Sequence, residues 1–113
     1  MNSSALTTVL ATYRVVPEHE TAFRDLLARH WPTLHHLGLA TDDPPRILRG
    51  EEDGRPVYFE LFTWRDAEAP RVAHETPEVM AIWEPMGALT ERRGERPDME
   101  FPHLAEVSLE RDA

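Results

Sequence analysis

From Thr7 to Val16 the chain alternates, with Val9, Ala11, Tyr13 and Val15 on one side and Leu10, Thr12, Arg14 and Val16 on the other. A period of two among Val, Thr and Tyr predicts a strand. Pro17 ends it and the period lengthens. Ala22, Phe23, Leu26, Leu27 and His30 or Trp31 then form the stripe of a helix over Glu18 to His30, with acids in its first turn. Pro32 is expected to kink or restart that helix, and Leu34 and Leu37 continue the stripe until Gly38 closes it. Thr41 to Pro45 reads as a loop, Arg46 to Gly50 as a short strand, and Glu51 to Gly54 as a turn whose Asp-Gly pair is a hairpin signal. Val57 to Trp64 is the clearest strand. A second helix runs from about Asp66 to Glu75, breaks at Thr76-Pro77, and resumes with Val79, Met80 and Trp83 on one face. Pro85 and Gly87 are expected to stop it. Glu91 to Asp98 reads as a charged, solvated loop, and Met99 to Leu109 as a last strand that Pro102 makes partly an edge.

The resulting order, β-α-β-β-α-β, predicts an α+β, ferredoxin-like domain spanning residues 1–113: a four-stranded antiparallel sheet with two helices on one face. In the third strand Val57, Phe59, Leu61 and Thr63 share one side, and Tyr58, Glu60, Phe62 and Trp64 the other. Both sides are largely apolar, yet two helices cover only one side of a sheet. The expected cover for the second side is another copy of the chain, so the pattern predicts a homodimer. The aliphatic side is expected on the helices, and the aromatic side with its carboxylate in a space between sheets.

Composition narrows the chemistry. The 113 residues contain no Cys and no Lys, and all twelve basic residues are Arg, which removes thiolate nucleophiles, thiolate metal sites and Schiff-base chemistry. Gln is absent, the single Asn is Asn2 in a terminus expected to fray, and Ser3, Ser4 and Ser108 stand in no nucleophile-elbow setting. No Gly-rich phosphate loop is present. A net charge of -9 and a pI near 5.0 argue against nucleic acid or an anionic membrane as partner. No apolar run approaches the roughly 18 residues of a membrane span. Met1 to Thr8 lacks the pattern of a secretory signal, so the expected compartment is the cytoplasm.

Three stretches carry a resemblance over about Thr8 to Val107. They are Val16-Pro17-Glu18 leading into a helix with Phe23 and Leu26-Leu27, a strand ending Glu60-Leu61-Phe62-Thr63-Trp64, and the segment from His74-Glu75-Thr76-Pro77 to Trp83. In these the chain resembles the dimeric α/β-barrel superfamily, and within it the antibiotic-biosynthesis-monooxygenase-like domains. The resemblance implies a subunit that pairs into an α/β barrel. It also implies a cofactor-independent monooxygenase acting on a phenolic or quinol-like aromatic, in which the protein deprotonates the phenol and dioxygen attacks the resulting carbanion. Haem-degrading members carry an Asn on the first strand and a Trp and a His on the second helix. Residues 9–15 here hold no Asn, and His74 and Glu84 stand at the helix positions, so haem degradation is not expected.

For such chemistry His74 or Glu60 is the candidate base, Trp64, Trp83 and Tyr58 are candidate stacking surfaces, and Arg14 would meet developing negative charge. Tyr13 and His103 are further candidates for a cavity wall. Each has a plainer reading. His74 at a helix C-terminus is favoured by the dipole, Glu60 could pair with Arg49 or Arg14, and the tryptophans could be core or interface. His30, His35 and His36 have chelating spacing but no accompanying carboxylate cluster, so no metal site is assigned. A non-catalytic homodimer that binds a small aromatic ligand, or only associates, is the alternative function.

Overall fold

A computed structural model describes residues 6–110; Asn2, Ser3 and Ser4 lie outside them. The strand β1 (Thr8–Arg14) is followed by a 3₁₀ turn at Pro17–His19 and the helix α1 (Glu20–His36). A hairpin follows, β2 (Arg46–Glu52) and β3 (Arg55–Thr63), then α2 (Ala69–His74) and α3 (Pro77–Ala88), and two short strands, β4 (Met99–Glu100) and β5 (His103–Leu104). The antiparallel sheet has the order β2-β3-β1-β4, with β5 also on the β1 edge. The expected last strand is therefore split: Met99–Glu100 pairs with Tyr13 and Thr12, His103–Leu104 pairs with Val9 and Thr8, and Phe101-Pro102 lies between.

Local sequence explains most boundaries. Asp53 and Gly54 both take positive φ, 54° and 78°, the backbone a two-residue hairpin requires. Gly38 takes φ 75° just beyond α1 and closes it. Asp66 Oδ1 accepts the backbone N–H groups of Glu68 and Ala69, each at 3.0 Å, so the helix begins later than the expected Asp66. Two prolines behave differently from expectation. Helix α1 runs unbroken through Pro32, and α3 runs through Pro85 to Ala88. An interior proline costs a helix about 3 kcal/mol, and burial opposes that here, since Leu34 beyond Pro32 and Met86 beyond Pro85 are both core residues. Thr76 stands extended before Pro77, but its hydroxyl donates back to the Val72 carbonyl at 2.7 Å rather than capping α3.

The two sides of the sheet are the reverse of the expectation. Tyr58, Glu60, Phe62 and Trp64, with Val9, Ala11, Tyr13 and Val15, are all buried, in a core shared with Phe23, Leu34, Val79 and Met86 of the helices. The aliphatic side is open at Leu48 and Leu61, which are 54% and 38% exposed, whereas Val57 at its end is buried. Register is the reason. Arg14 lies opposite Val57 and Thr12 opposite Phe59, so the polar side of β1 and the aliphatic side of β3 are one surface.

An ion-pair cluster ties the ends of this sheet together. Glu52 meets Arg14 at 3.0 Å, Arg93 at 3.3 Å and Arg96 at 3.4 Å, while Arg55 and Arg93 both reach Glu91. Burial pushes the Glu52 carboxyl up, but Arg14, Arg93 and Arg96 outweigh it and hold the group below its ordinary range. Glu91 is held low first by its hydrogen bond to Arg55. A carboxyl whose folded pKa is depressed contributes stability that is complete above the unfolded pKa and is lost as pH falls through the folded one. Thermal melts should therefore weaken from the ordinary glutamate range downward. Glu52→Gln should start about 1–3 kcal/mol less stable at neutral pH and fall less steeply with acid. An unchanged acid profile in Glu52→Gln would contradict the assignment.

Candidate active site

Glu60 occupies the central strand, paired with Ala11 on β1 and Ile47 on β2, and has no exposed surface. The small Ala11 beside it leaves room for groups from either side. Tyr13, two residues along β1 on the same side, donates its hydroxyl to Glu60 Oε1 at 2.7 Å. From α1, His30 lies one turn beyond Leu26 in the apolar stripe, is 3% exposed, and places Nδ1 3.0 and 3.1 Å from the two carboxylate oxygens. From α3, the Trp83 indole N–H donates to His30 Nε2 at 2.8 Å.

Donor and acceptor rules fix the protons in this line. An indole N–H only donates, so His30 Nε2 is the accepting nitrogen and Nδ1 carries the proton given to Glu60. His30 is thus a neutral imidazole in the Nδ1–H form. Burial first, then the charge and hydrogen bond of Glu60, push the Tyr13 hydroxyl well above its usual range, which keeps it a donor. The Glu60 carboxylate, which pairs with no Arg among the described residues, is satisfied by two neutral donors.

His30, Tyr13 and Trp83 also form part of the wall of a cavity of about 260 Å³ between the sheet and the helices. Trp64, His74 and His103 complete its polar-capable lining, and Val9, Phe62, Met80, Met86 and Met99 supply much of the apolar remainder. A 150 Å³ apolar cavity holds benzene, so this space suits one ring or a small fused system. His74 stands exposed at the cavity, its Nδ1 2.8 Å from the Pro70 carbonyl and its ring edge-on to Trp83 at 4.8 Å. Because a carbonyl only accepts, His74 Nδ1 carries a proton. Trp64 is 4% exposed, and its indole N–H has no partner among the described residues.

Of the residues marked from sequence, Tyr13, Trp64, His74, Trp83 and His103 meet around this cavity. Glu60 stands behind the wall, in contact with Tyr13 and His30. Tyr58 does not line it; its hydroxyl donates to Glu20 at 2.6 Å and its ring packs on Phe23. Arg14 is on the opposite side of the sheet, bound to Glu52 and Glu100. Neither arginine suggested as a partner for Glu60 reaches it: Arg49 points out to Glu20, and Arg14 faces the other way. His30 and His35 diverge, the latter stacking on Trp31 and reaching Asp42 at 2.7 Å. The residue sequence reasoning missed is His30. Its signal was present as a titratable group inside the apolar stripe of α1, facing a strand with a carboxylate at an inward position.

No family model matches the chain, and no curated protein matches it. Solved structures do. SnoaB from Streptomyces nogalater, a cofactor-independent oxygenase solved as a mutant, is similar at a TM-score of 0.66 and 19% identity, over 91% of this chain and 95% of that one. A conserved protein of Methanosarcina mazei gives 0.67 at 14% identity, over 90% and 95%. A candidate antibiotic biosynthesis monooxygenase of Deinococcus radiodurans gives 0.57 at 16% identity, over 95% and 99%. At these identities the likeness establishes the fold: this chain has the fold of the antibiotic-biosynthesis-monooxygenase-like domains.

The hydrogen-bonded line predicts a stability cost at its sheet end. Tyr13→Phe removes one of the two donors to a fully buried carboxylate. Urea unfolding should show a loss of about 1–3 kcal/mol. A loss under about 0.5 kcal/mol, the range of a neutral surface change, would mean that the hydroxyl is not needed there.

Proposed function

We propose that the chain binds a phenolic or quinol-like aromatic in the cavity between sheet and helices and oxygenates it without a cofactor. The observation that carries this reading is the meeting, at one apolar cavity, of indole and phenol rings with two imidazoles, one of which, His30, has a defined accepting nitrogen. The chemistry needs little else. Loss of a proton makes the substrate electron-rich, and the resulting carbanion reacts with dioxygen. At a ring CH₂, one oxygen atom enters as C=O and the other leaves as water with both hydrogens of that carbon, so the substrate supplies all four electrons that reduce dioxygen. The likeness in fold to a cofactor-independent oxygenase of Streptomyces nogalater supports the reading. His74 or Glu60 is the proposed source of base catalysis, Glu60 acting through the imidazole in front of it.

Oxygen uptake by metal-free protein, in chelator, over a panel of quinols and anthrones tests the reading. Protein-dependent uptake is expected, absent with boiled protein. Quenching of tryptophan fluorescence by the same compounds without any uptake would replace it by the second reading, a binding module. That reading draws on the engagement of Glu60 and His30 with partners inside the protein.

The proposal includes a second copy of the chain. The open side of the sheet carries Leu48, Leu61 and Leu104 at 54%, 38% and 39% exposure, alongside half-buried Leu10 and Phe59. A contiguous apolar surface of this kind is covered in stable soluble proteins. Self-association is the economical cover, because it needs no other partner. Sedimentation velocity should give a dimer for the wild type and a monomer for Leu61→Arg. A monomeric wild type at micromolar concentration would sink this part of the proposal.

A further inference from the structure

Resting on the reading of the cavity as a phenol site, we propose that His30 is the base that takes the phenol proton. In this assignment Glu60 is the positioning residue behind His30, and the Trp83 indole N–H holds the phenolate oxygen. Three features of the geometry point to His30 rather than His74.

The first is orientation. His30 lines the cavity, and with Nδ1–H bound across both oxygens of Glu60 its unprotonated Nε2 faces the Trp83 indole of the same wall. A carboxylate that fixes the tautomer of an imidazole also stabilises the imidazolium it becomes, which is the established logic of carboxylate–imidazole bases. His74 has a backbone carbonyl in the equivalent place, carries no such charge behind it, and is exposed.

The second is hydrogen-bond accounting. In the empty site, His30 Nε2 and the Trp83 N–H satisfy one another at 2.8 Å. A phenol hydroxyl is donor and acceptor at once, so it can insert between them. It donates to Nε2 and accepts from the indole, leaving neither group unpaired. Trp83 is only half-buried and meets His74 and Trp64 edge-on, so admitting the oxygen calls for an outward shift of this one ring against those two neighbours. An ether or an unsubstituted ring cannot make this exchange, because it leaves Nε2 without a donor.

The third is charge. The phenol O–H bond breaks, its electron pair stays on oxygen, and the proton moves to Nε2. Before the step the site holds one carboxylate; afterwards it holds a carboxylate, an imidazolium and a phenolate. The net charge is unchanged, so no additional uncompensated charge is buried. The groups facing His30 are Glu60 and Tyr13 from the sheet, Trp83 from α3 with His74 beyond it, and the edge of Phe62 at 5.6 Å. The carboxylate is the only charge among the partners drawn together by these bonds.

4-Nitrophenol tests the assignment without requiring turnover, because its anion and neutral form absorb differently. It would be added to the full-length protein at a pH where the free probe is mostly neutral, with binding followed separately by tryptophan fluorescence. The wild type should bind it and show the phenolate band. Glu60→Gln keeps the size of the side chain and an oxygen for His30 Nδ1–H, but removes the charge; its bound probe should be about tenfold or more less ionised, one pKa unit or beyond. Trp83→Phe, at a half-buried wall position, should also bind the probe and ionise it less. A purely structural role for Glu60 would change affinity or stability but leave the spectrum of the bound probe as in wild type, and that result would overturn the proposal. Loss of the band in His74→Gln with the band retained in Glu60→Gln would overturn it in favour of His74. A probe bound but neutral in wild type would overturn this inference and leave the cavity reading standing, whereas a panel of phenols that fails to bind at all would overturn both.

Discussion

The buried carboxylate of Glu60 constrains everything around it. A charged group with no exposed surface must be hydrogen-bonded or lose several kcal/mol, and no arginine among the described residues pairs with it. Satisfaction comes from Tyr13 on the neighbouring strand and His30 on the facing helix. That requirement fixes the rotation of α1 about its axis, because His30 has to point at the centre of the sheet. It also fixes the tautomer of His30, hence the acceptor that takes the Trp83 N–H, and with it the placement of α3. One charge thus links a strand, a strand partner and two helices, and the last member of the line forms part of the cavity wall.

The same arrangement separates the two surfaces of the sheet by chemistry. On the helix side lie the aromatics, the carboxylate and the cavity; on the other lie leucines and an arginine–glutamate cluster built on Arg14 and Glu52. The cluster organises the charged segment that the sequence marks as a solvated loop: Arg93 reaches the Val15 and Pro56 carbonyls at 2.8 and 2.9 Å. These contacts pin the segment between α3 and β4, and so the edge from which Met99, Phe101 and His103 reach the cavity. Under the proposed dimer, the leucine surface would be covered without disturbing the site, since the two lie on opposite sides of one sheet.

Much of this was legible from residue order. The element sequence, the Asp53-Gly54 hairpin and the break at Thr76-Pro77 follow from period and turn chemistry, which are local. Three features were not local. Which side of β3 faces the helices depends on its register with β1, and a strand apolar on both sides gives no internal sign of it. The clue lay in β1, where Thr12 and Arg14 share a side and so mark the side turned away from the apolar core. The persistence of helix through Pro32 and Pro85 depends on the burial of Leu34 and Met86, which only tertiary packing supplies. For the site, Tyr13, Trp64, His74, Trp83 and His103 meet at the cavity, but His30 read as a member of an apolar stripe. Its pairing with Glu60, thirty residues away, needed the helix and the sheet in contact.

The protonation state of His30 is the most direct test of this account. Nitrogen-15 NMR of the protein labelled at histidine distinguishes the two neutral tautomers from the imidazolium. At neutral pH, without ligand, His30 should give the signature of the Nδ1–H form with an unprotonated Nε2, identified as the one such signal that a His30→Gln sample loses and a His74→Gln sample keeps. A His30 protonated at Nε2, or at both nitrogens, could not accept the Trp83 N–H and would contradict the line from Glu60 to the cavity.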